Sequence, residues 1–255
     1  MLLDGRSELK RNWHIARDNW DALSASSFPA RLLTFALSPP FGGLGGHVNH
    51  GPRTQRKICL TFDDGPNSPC TEDLLEALDQ LGAPATFFCV GWNVMKFPEI
   101  VARAAAAGHE IANHSMYHSR KAGLLPFGGT HIDEAEKAIA DAIGKVPRLY
   151  RPPWGWLSPF ELGRLRARGY TVVGWDVYTR DWMLPESNGQ QMALQALDNV
   201  IGGSIILFHD GCAFTTTWRK IETVRAIRAL VPLARDRGFE FATVSEVIGA
   251  PAYAS

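Results

Sequence analysis

Little in this chain marks it for a disulfide framework, a membrane span or a nucleic acid. Its four cysteines, Cys59, Cys70, Cys89 and Cys212, show no Cys-x-x-Cys spacing, which argues against a Cys-rich structural zinc site and leaves no disulfide pattern to read. Cys59 and Cys89 sit inside apolar strand-like runs, where a small buried thiol is usual. Lys+Arg and Asp+Glu both number 26, and no dense basic run occurs, so charge favours neither nucleic acid nor anionic lipid. No apolar stretch is long enough to span a bilayer. The opening MLLDGRSELKRNW has neither an apolar h-region nor a cleavage site, so the expectation is a soluble, cytoplasmic chain without a secretory signal. Internal repeats and low-complexity tracts are absent too.

What is present, from residue 57 onward, is alternation. KICLTF (57–62), ATFFCV (85–90), HEIAN (109–113), TVVGW (171–175), SIILFH (204–209) and FEFATV (239–244) read as strands, rich in β-branched and aromatic residues. Between them lie helical patterns. TEDLLEALDQLG places Leu74, Leu75, Leu78 and Leu81 on one face, and FPEIVARAAAAG begins at Pro98 and stops at Gly108. SPFELGRLRARG offers Ser158 as N-cap, Pro159 at the first helical position, Glu161 to complete a capping box and Gly169 as C-cap. DEAEKAIADAIG and TWRKIETVRAIRALVPLARDRG complete the set, with Pro232 expected to kink or interrupt the last. Such alternation implies an α/β fold with parallel strands and outer helices, either an open doubly wound sheet or a barrel. In a barrel the working residues follow the strands onto one rim.

Residues 1–56 differ, and the expected division is an N-terminal extension over 1–56 and a main domain over 57–250. Leu9, Trp13, Ala16, Trp20 and Leu23 recur at spacings of four, three, four and three, which predicts an amphipathic helix. Its mixed-charge polar face favours packing on the barrel exterior over an interfacial membrane anchor, although peripheral membrane contact stays open. SPPFGGLGGHVNHGP (38–52) reads as a Pro/Gly-rich loop.

The polar residues of interest sit at strand exits. LTFDDGP ends one apolar run with Asp63 beside Asp64. A solvated turn needs only one such residue, whereas a catalytic pair with one carboxylate on a metal and the other moving protons needs both. NHSMYH then places His114 and His118 at an i, i+4 spacing, which predicts a helical turn with both imidazoles pointing the same way. Asp plus two His is a familiar three-ligand set that leaves positions open. RLYRPPWGW follows with consecutive prolines, Trp154 and Trp156; GWDVYTRDW carries Trp175, Asp176, Asp181 and Trp182; IILFHD ends on His209 and Asp210.

In this order, TFDDGP, H-S-x-x-H, R-P-P-W-G, D-W and L-x-H-D resemble the five motifs of the polysaccharide deacetylases, the NodB-homology or carbohydrate esterase family 4 group. The resemblance covers about residues 57–248, roughly three quarters of the chain, and five motifs in sequence are far more specific than any one. It implies a distorted (β/α) barrel and a hydrolase that removes N-acetyl groups from N-acetylated sugars. It further implies that Asp64, His114 and His118 hold a divalent metal, usually zinc and sometimes cobalt or nickel. Asp63 corresponds to the general base and His209 to the general acid; Arg151 pairs with the base, and Asp181 orients and charges the histidine. Trp154 takes the position whose backbone N–H helps bind the oxyanion, while Trp182 and Leu207 line the acetyl pocket. Three departures stand out: Trp154 replaces a more usual Tyr or Phe, Tyr178 stands where many relatives have an acidic residue before the D-W pair, and no export signal is visible although relatives that act on cell-wall polymers are generally exported. The expected partner is an N-acetylated carbohydrate, with no nucleic acid. The competing readings are a non-sugar amidase and a catalytically silent carbohydrate-binding relative, and the intact set of base, ligands and acid weighs against the silent one.

Overall fold

Strand β1 (Lys57–Asp63) shows how the barrel is written. Successive strand side chains point to opposite faces, and here both faces are apolar at first. Ile58, Leu60 and Phe62 enter one hydrophobic cluster, together with Phe87, Ile206 and Phe208 of neighbouring strands and Leu74, Leu78, Ile227 and Leu230 of helices. Cys59 enters another, with Phe88, Ala112, Leu149, Val173 and Ile205. The first cluster lies between sheet and helices, and the second fills the inside of the curled sheet. A strand buried on both sides reads as a continuous apolar run, as strands of parallel sheets do.

The computed structural model describes residues 46–119, 129–179, 181–182, 188–211 and 220–255. After β1 come α1 (Cys70–Leu81), β2 (Ala85–Cys89), α2 (Gly91–Lys96), α3 (Pro98–Ala106), β3 (Glu110–Asn113), α4 (Gly129–Ile143) and β4 (Leu149–Tyr150). Then follow α5 (Pro159–Ala167), β5 (Thr171–Val172), β6 (Val177–Tyr178), α6 (Gly189–Asn199), β7 (Ile205–His209), α7 (Ile221–Asp236), β8 (Glu240–Phe241) and α8 (Val244–Ile248). The strands pair in the order β5-β4-β3-β2-β1-β7-β6, with β8 joined to the start of β1. Every ladder is parallel. The sheet is the curled, helix-covered (β/α) barrel that the alternation allowed. Residues 48–51 tie its β5 margin to the entry of β7: Val48 N–H donates to the Val172 carbonyl, Gly174 N–H to Val48, and Gly51 N–H to Gly203.

Several elements differ from expectation. The run at 171–175 is a strand only over Thr171–Val172. The one at 239–244 stops at Phe241 because Thr243 and Glu246 form a capping box that starts α8. At α5 the Ser158 hydroxyl accepts from Glu161 N–H, but the Glu161 carboxylate pairs with Arg164 instead of reaching back. Helix α7 runs unbroken through Pro232, held by buried Ala226, Ile227, Leu230, Val231 and Ala234. Helix α6, with buried Met192, Ala193, Ala196 and Leu197, carries an apolar stripe that the strand-centred reading passed over. The helix expected over Leu9–Leu23, Cys212 and the start of the last helical pattern lie outside the described residues. Among the described residues no helix is long and apolar enough to cross a membrane.

Phe62 is fully buried, its ring stacked 5.2 Å from Phe87 and 5.9 Å from Phe208. Phe62→Ala is expected to lower unfolding free energy by about 3–5 kcal/mol, read as a lower denaturant midpoint at unchanged m-value.

Candidate active site

The same alternation that buries Cys59 inside the sheet puts Thr61 and Asp63 on that inner face. Above the apolar floor they meet Arg151, which follows β4 and is wholly buried. Its Nη1 donates to Asp63 Oδ1 at 2.7 Å and to Thr61 Oγ1 at 2.8 Å, and Nη2 donates to the Gly174 carbonyl at 2.8 Å. The guanidinium carbon lies 4.0 Å from the centre of the Phe88 ring and 5.6 Å from that of Trp175. Burial lowers the Arg151 pKa, and the Asp63 carboxylate opposes that shift. A cation so placed needs a partner, and Asp63 is it.

The Arg151 backbone serves a second group. Its carbonyl lies 2.7 Å from His114 Nδ1. A carbonyl can only accept, so Nδ1 carries a hydrogen, which in the neutral ring leaves the lone pair on Nε2. That Nε2 is 3.5 Å from Asp64 Oδ1 and 3.8 Å from Asp63 Oδ2, while His118 Nε2 is 3.2 Å from Asp64 Oδ1. Asp64, His114 and His118 each offer a ligand atom, all within 4.8 Å of one another. Asp64 Oδ1 is buried and no hydrogen bond satisfies it, a cost that a cation would remove. Burial would raise the Asp64 pKa, but the imidazoles of His118, His114 and His209 outweigh it and hold the carboxyl well below its usual range. Burial pushes His118 down to about 4, against the pull of Asp64. One carboxylate oxygen and two imidazole nitrogens suit a zinc-like ion.

The two histidines do not share a helical turn. Residues 114–119 form an irregular loop in which Ser115 and His118 take φ values of 65° and 51°. The backbone reversal, rather than an i, i+4 face, brings the imidazoles to a ring separation of 5.0 Å.

Across the rim, His209 is the register partner of Asp63. Asp181 Oδ1 lies 2.8 Å from His209 Nδ1, and Asp181 Oδ2 accepts the His209 backbone N–H at 2.7 Å. Thr223 Oγ1 and Lys220 Nζ donate to the Asp181 carboxylate and carbonyl respectively. Burial disfavours the imidazolium, yet the charge and hydrogen bond of Asp181 win, and the His209 pKa is raised. Asp181 is correspondingly lowered, although burial works against it.

Aromatic residues ring the opening. Trp154, 39% exposed, takes φ 62° in a 3₁₀ turn and sets its ring 5.2 Å from His118. Trp182, 43% exposed, meets His209 edge-on at 5.4 Å and stacks at 6.2 Å with Tyr178. Leu207, buried in β7 two residues before His209, shares its face and pairs in register with Thr61 and Tyr178. All eleven expected site residues therefore gather at one end of the sheet.

Asp176 does not join them: it binds Arg53, Ser204 and the Ile205 N–H. Three contributors went unread in the sequence. Thr61 was recoverable, since it lies two residues before Asp63 in a strand. Asn93, which donates to the Asp64 carbonyl at 2.8 Å, and Thr71 sit on helices with no local signal. Asp210, quoted above without a role, is buried, and burial pushes its carboxyl up to about 7.

Residues 50–173 match the family model described as Polysaccharide deacetylase. A chitooligosaccharide deacetylase from a Bradyrhizobium strain is 36% identical over 215 residues, covering 81% of this chain and 93% of its own. A peptidoglycan-N-acetylglucosamine deacetylase of Bacillus cereus is 32% identical over 205 residues, covering 77% and 90%. The crystal structure of the Bc1960 peptidoglycan N-acetylglucosamine deacetylase superposes with a TM-score of 0.73 at 29% identity, over 80% of this chain and 93% of that one. With the site's arrangement already read from its strands and loops, these matches establish that the chain belongs to the polysaccharide deacetylase family.

Proposed function

We propose that this chain is a metal-dependent N-deacetylase that hydrolyses the acetamide of N-acetylglucosamine units, releasing acetate and a free amine. The observation that carries the reading is the pairing of Asp63 with His209 on adjacent strands, each backed by a buried counter-charge and both beside the Asp64–His114–His118 cluster. The names of the relatives, chitooligosaccharide and peptidoglycan-N-acetylglucosamine deacetylases, supply the substrate class.

A divalent cation held by Asp64, His114 and His118, zinc before cobalt or nickel, would supply Lewis-acid polarisation of the amide carbonyl and a water of lowered pKa. Asp63 takes the proton from the attacking water, and Arg151 aims it through the 2.7 Å bond to Oδ1. The backbone N–H of Trp154 faces the oxygen on which charge develops. His209 donates to the departing nitrogen, so that an amine leaves rather than an amide anion. Trp182 and Leu207 enclose the acetyl methyl, and Tyr178 extends the wall toward the sugar.

Acetate release measured across N-acetylated glucosamine oligomers, peptidoglycan fragments, monosaccharides and acetylated small amides tests the substrate class. Turnover is expected on the oligomers and is expected to stop with a chelator and return with Zn²⁺ or Co²⁺; turnover confined to the small amides would overturn the assignment. Asp63→Asn is expected to cut kcat by about 10²–10⁴-fold with metal content intact, and robust turnover would remove Asp63 from the base role. For Asp181→Asn the sign follows from the raised His209 pKa. The protonated acid persists to higher pH only while Asp181 is charged, so the basic limb of the kcat profile is expected at lower pH in the variant. An unmoved limb would separate Asp181 from the acid.

A further inference from the structure

We propose that Asp210 is a positioning residue for the ligand carboxylate of Asp64, acting through the peptide that joins Asp64 to Gly65. The inference rests on the reading of Asp64, His114 and His118 as a cation site.

Asp64 has φ 76°, a region that a side chain with a Cβ enters at a cost. Released, the turn would relax toward ordinary backbone and swing the carboxylate away from the imidazoles. Both edges of the following peptide are held. The Asp64 carbonyl accepts from Asn93 Nδ2 at 2.8 Å, and the Gly65 N–H donates to Asp210 Oδ1 at 3.1 Å. One peptide plane is thus clamped by two side chains from different elements. The Gly65 carbonyl adds a third anchor by accepting from Val90 N–H at 2.9 Å.

Asp210 is itself immobilised. It is 1% exposed, its Oδ2 accepts from the Thr71 hydroxyl at 2.6 Å, and that hydroxyl accepts from Asn67 N–H at 2.8 Å. Its own N–H donates to the Asp63 carbonyl at 3.2 Å. A Cβ at Gly65 would lie 2.0 Å from Asp210 Oδ2, and one at Gly211 would lie 2.0 Å from Asn67 Nδ2 and 3.1 Å from the Asp64 carbonyl. These glycines let the Asp210–Gly211 segment press directly against the carboxylate turn. The two side-chain bonds of Asp210 go to Gly65 and Thr71, so its influence on the reacting centre runs through Asp64. Groups that orient a metal ligand commonly matter 10–100-fold for affinity, as an order of magnitude.

The test is titration of the metal-stripped full chain with Co²⁺, read by calorimetry and by the visible absorption of the bound ion, with thermal melts recorded in parallel. Asp210→Ala is expected to bind about 10–100-fold more weakly and to change the absorption envelope. Asp210→Asn, whose amide oxygen can accept from Gly65 and whose NH₂ can donate to Thr71, is expected to keep wild-type affinity and spectrum. A folded Asp210→Ala with wild-type affinity and spectrum, whatever its melting temperature, overturns the proposal; so does an Asn variant as weak as the Ala variant. If Asp210→Ala does not fold, Thr71→Val, which frees Oδ2 and leaves the Asn67 N–H without its acceptor, carries the test, with Thr71→Ser as the variant that keeps both bonds. Weaker Co²⁺ binding in the Val variant alone supports the proposal, and unchanged binding in the Val variant overturns it, as does equal weakening in both. Wild-type protein that takes up no Co²⁺ overturns this inference and the cation site together. Wild-type protein that binds Co²⁺ yet releases no acetate from any N-acetylated sugar overturns the substrate reading alone.

Discussion

A guanidinium sealed inside a protein needs a counter-charge beside it, and the Arg151–Asp63 pair is the constraint around which this site is arranged. Removing one partner of such a buried pair typically costs about 3–5 kcal/mol, because the other is left uncompensated. Arg151 is therefore committed to Asp63, Thr61 and the Gly174 carbonyl at once. Its backbone carbonyl meanwhile sets which His114 nitrogen carries the hydrogen. One residue thereby aims the proposed base and prepares a proposed ligand. Phe88 beneath the guanidinium adds a cation–π contact, which gains strength when water is excluded.

The adjacent carboxylates make sense in this setting. Asp63 faces the cation of Arg151, and Asp64 faces imidazoles that hold its carboxyl low. The backbone turns the two apart. Among the described residues, the non-glycine positions with positive φ are Asp64, Ser115, His118 and Trp154, and each belongs to the Asp64–His114–His118 cluster or adjoins it in sequence or ring contact. Strain confined to such a place is tolerated because the surroundings over-determine it, and here it serves to point side chains that regular strands would spread apart.

Much of this was legible from residue order. Six apolar runs and their intervening helices announced a parallel α/β fold, and polar residues at strand exits announced a shared rim. Alternation along β1 also held the signal that Thr61 shares a face with Asp63, although the motifs alone did not draw attention to it. What escaped was geometry without local pattern. Two-residue strands such as Leu149–Tyr150 and Val177–Tyr178 are too short to show a period, and they exist because longer neighbours offer them a ladder. The His114–His118 spacing suggested a helix, but two left-handed residues achieve the convergence instead. Asn93 and Thr71 act at long range, where only the folded chain reveals their partners.

The cross-strand match of Asp63 with His209 has a further meaning for how such a molecule can diversify. Neighbouring strands lie about 4.8 Å apart, so the gap between the two proposed proton carriers is set by backbone pairing and is closed to gradual adjustment. Trp154 and Trp182 lie outside the described strands, in segments that no described ladder restrains. The spacing of the proposed reactive pair and the aromatic lips of the cleft thus belong to separate parts of the chain, so the lips can be exchanged while the cross-strand gauge stays the same.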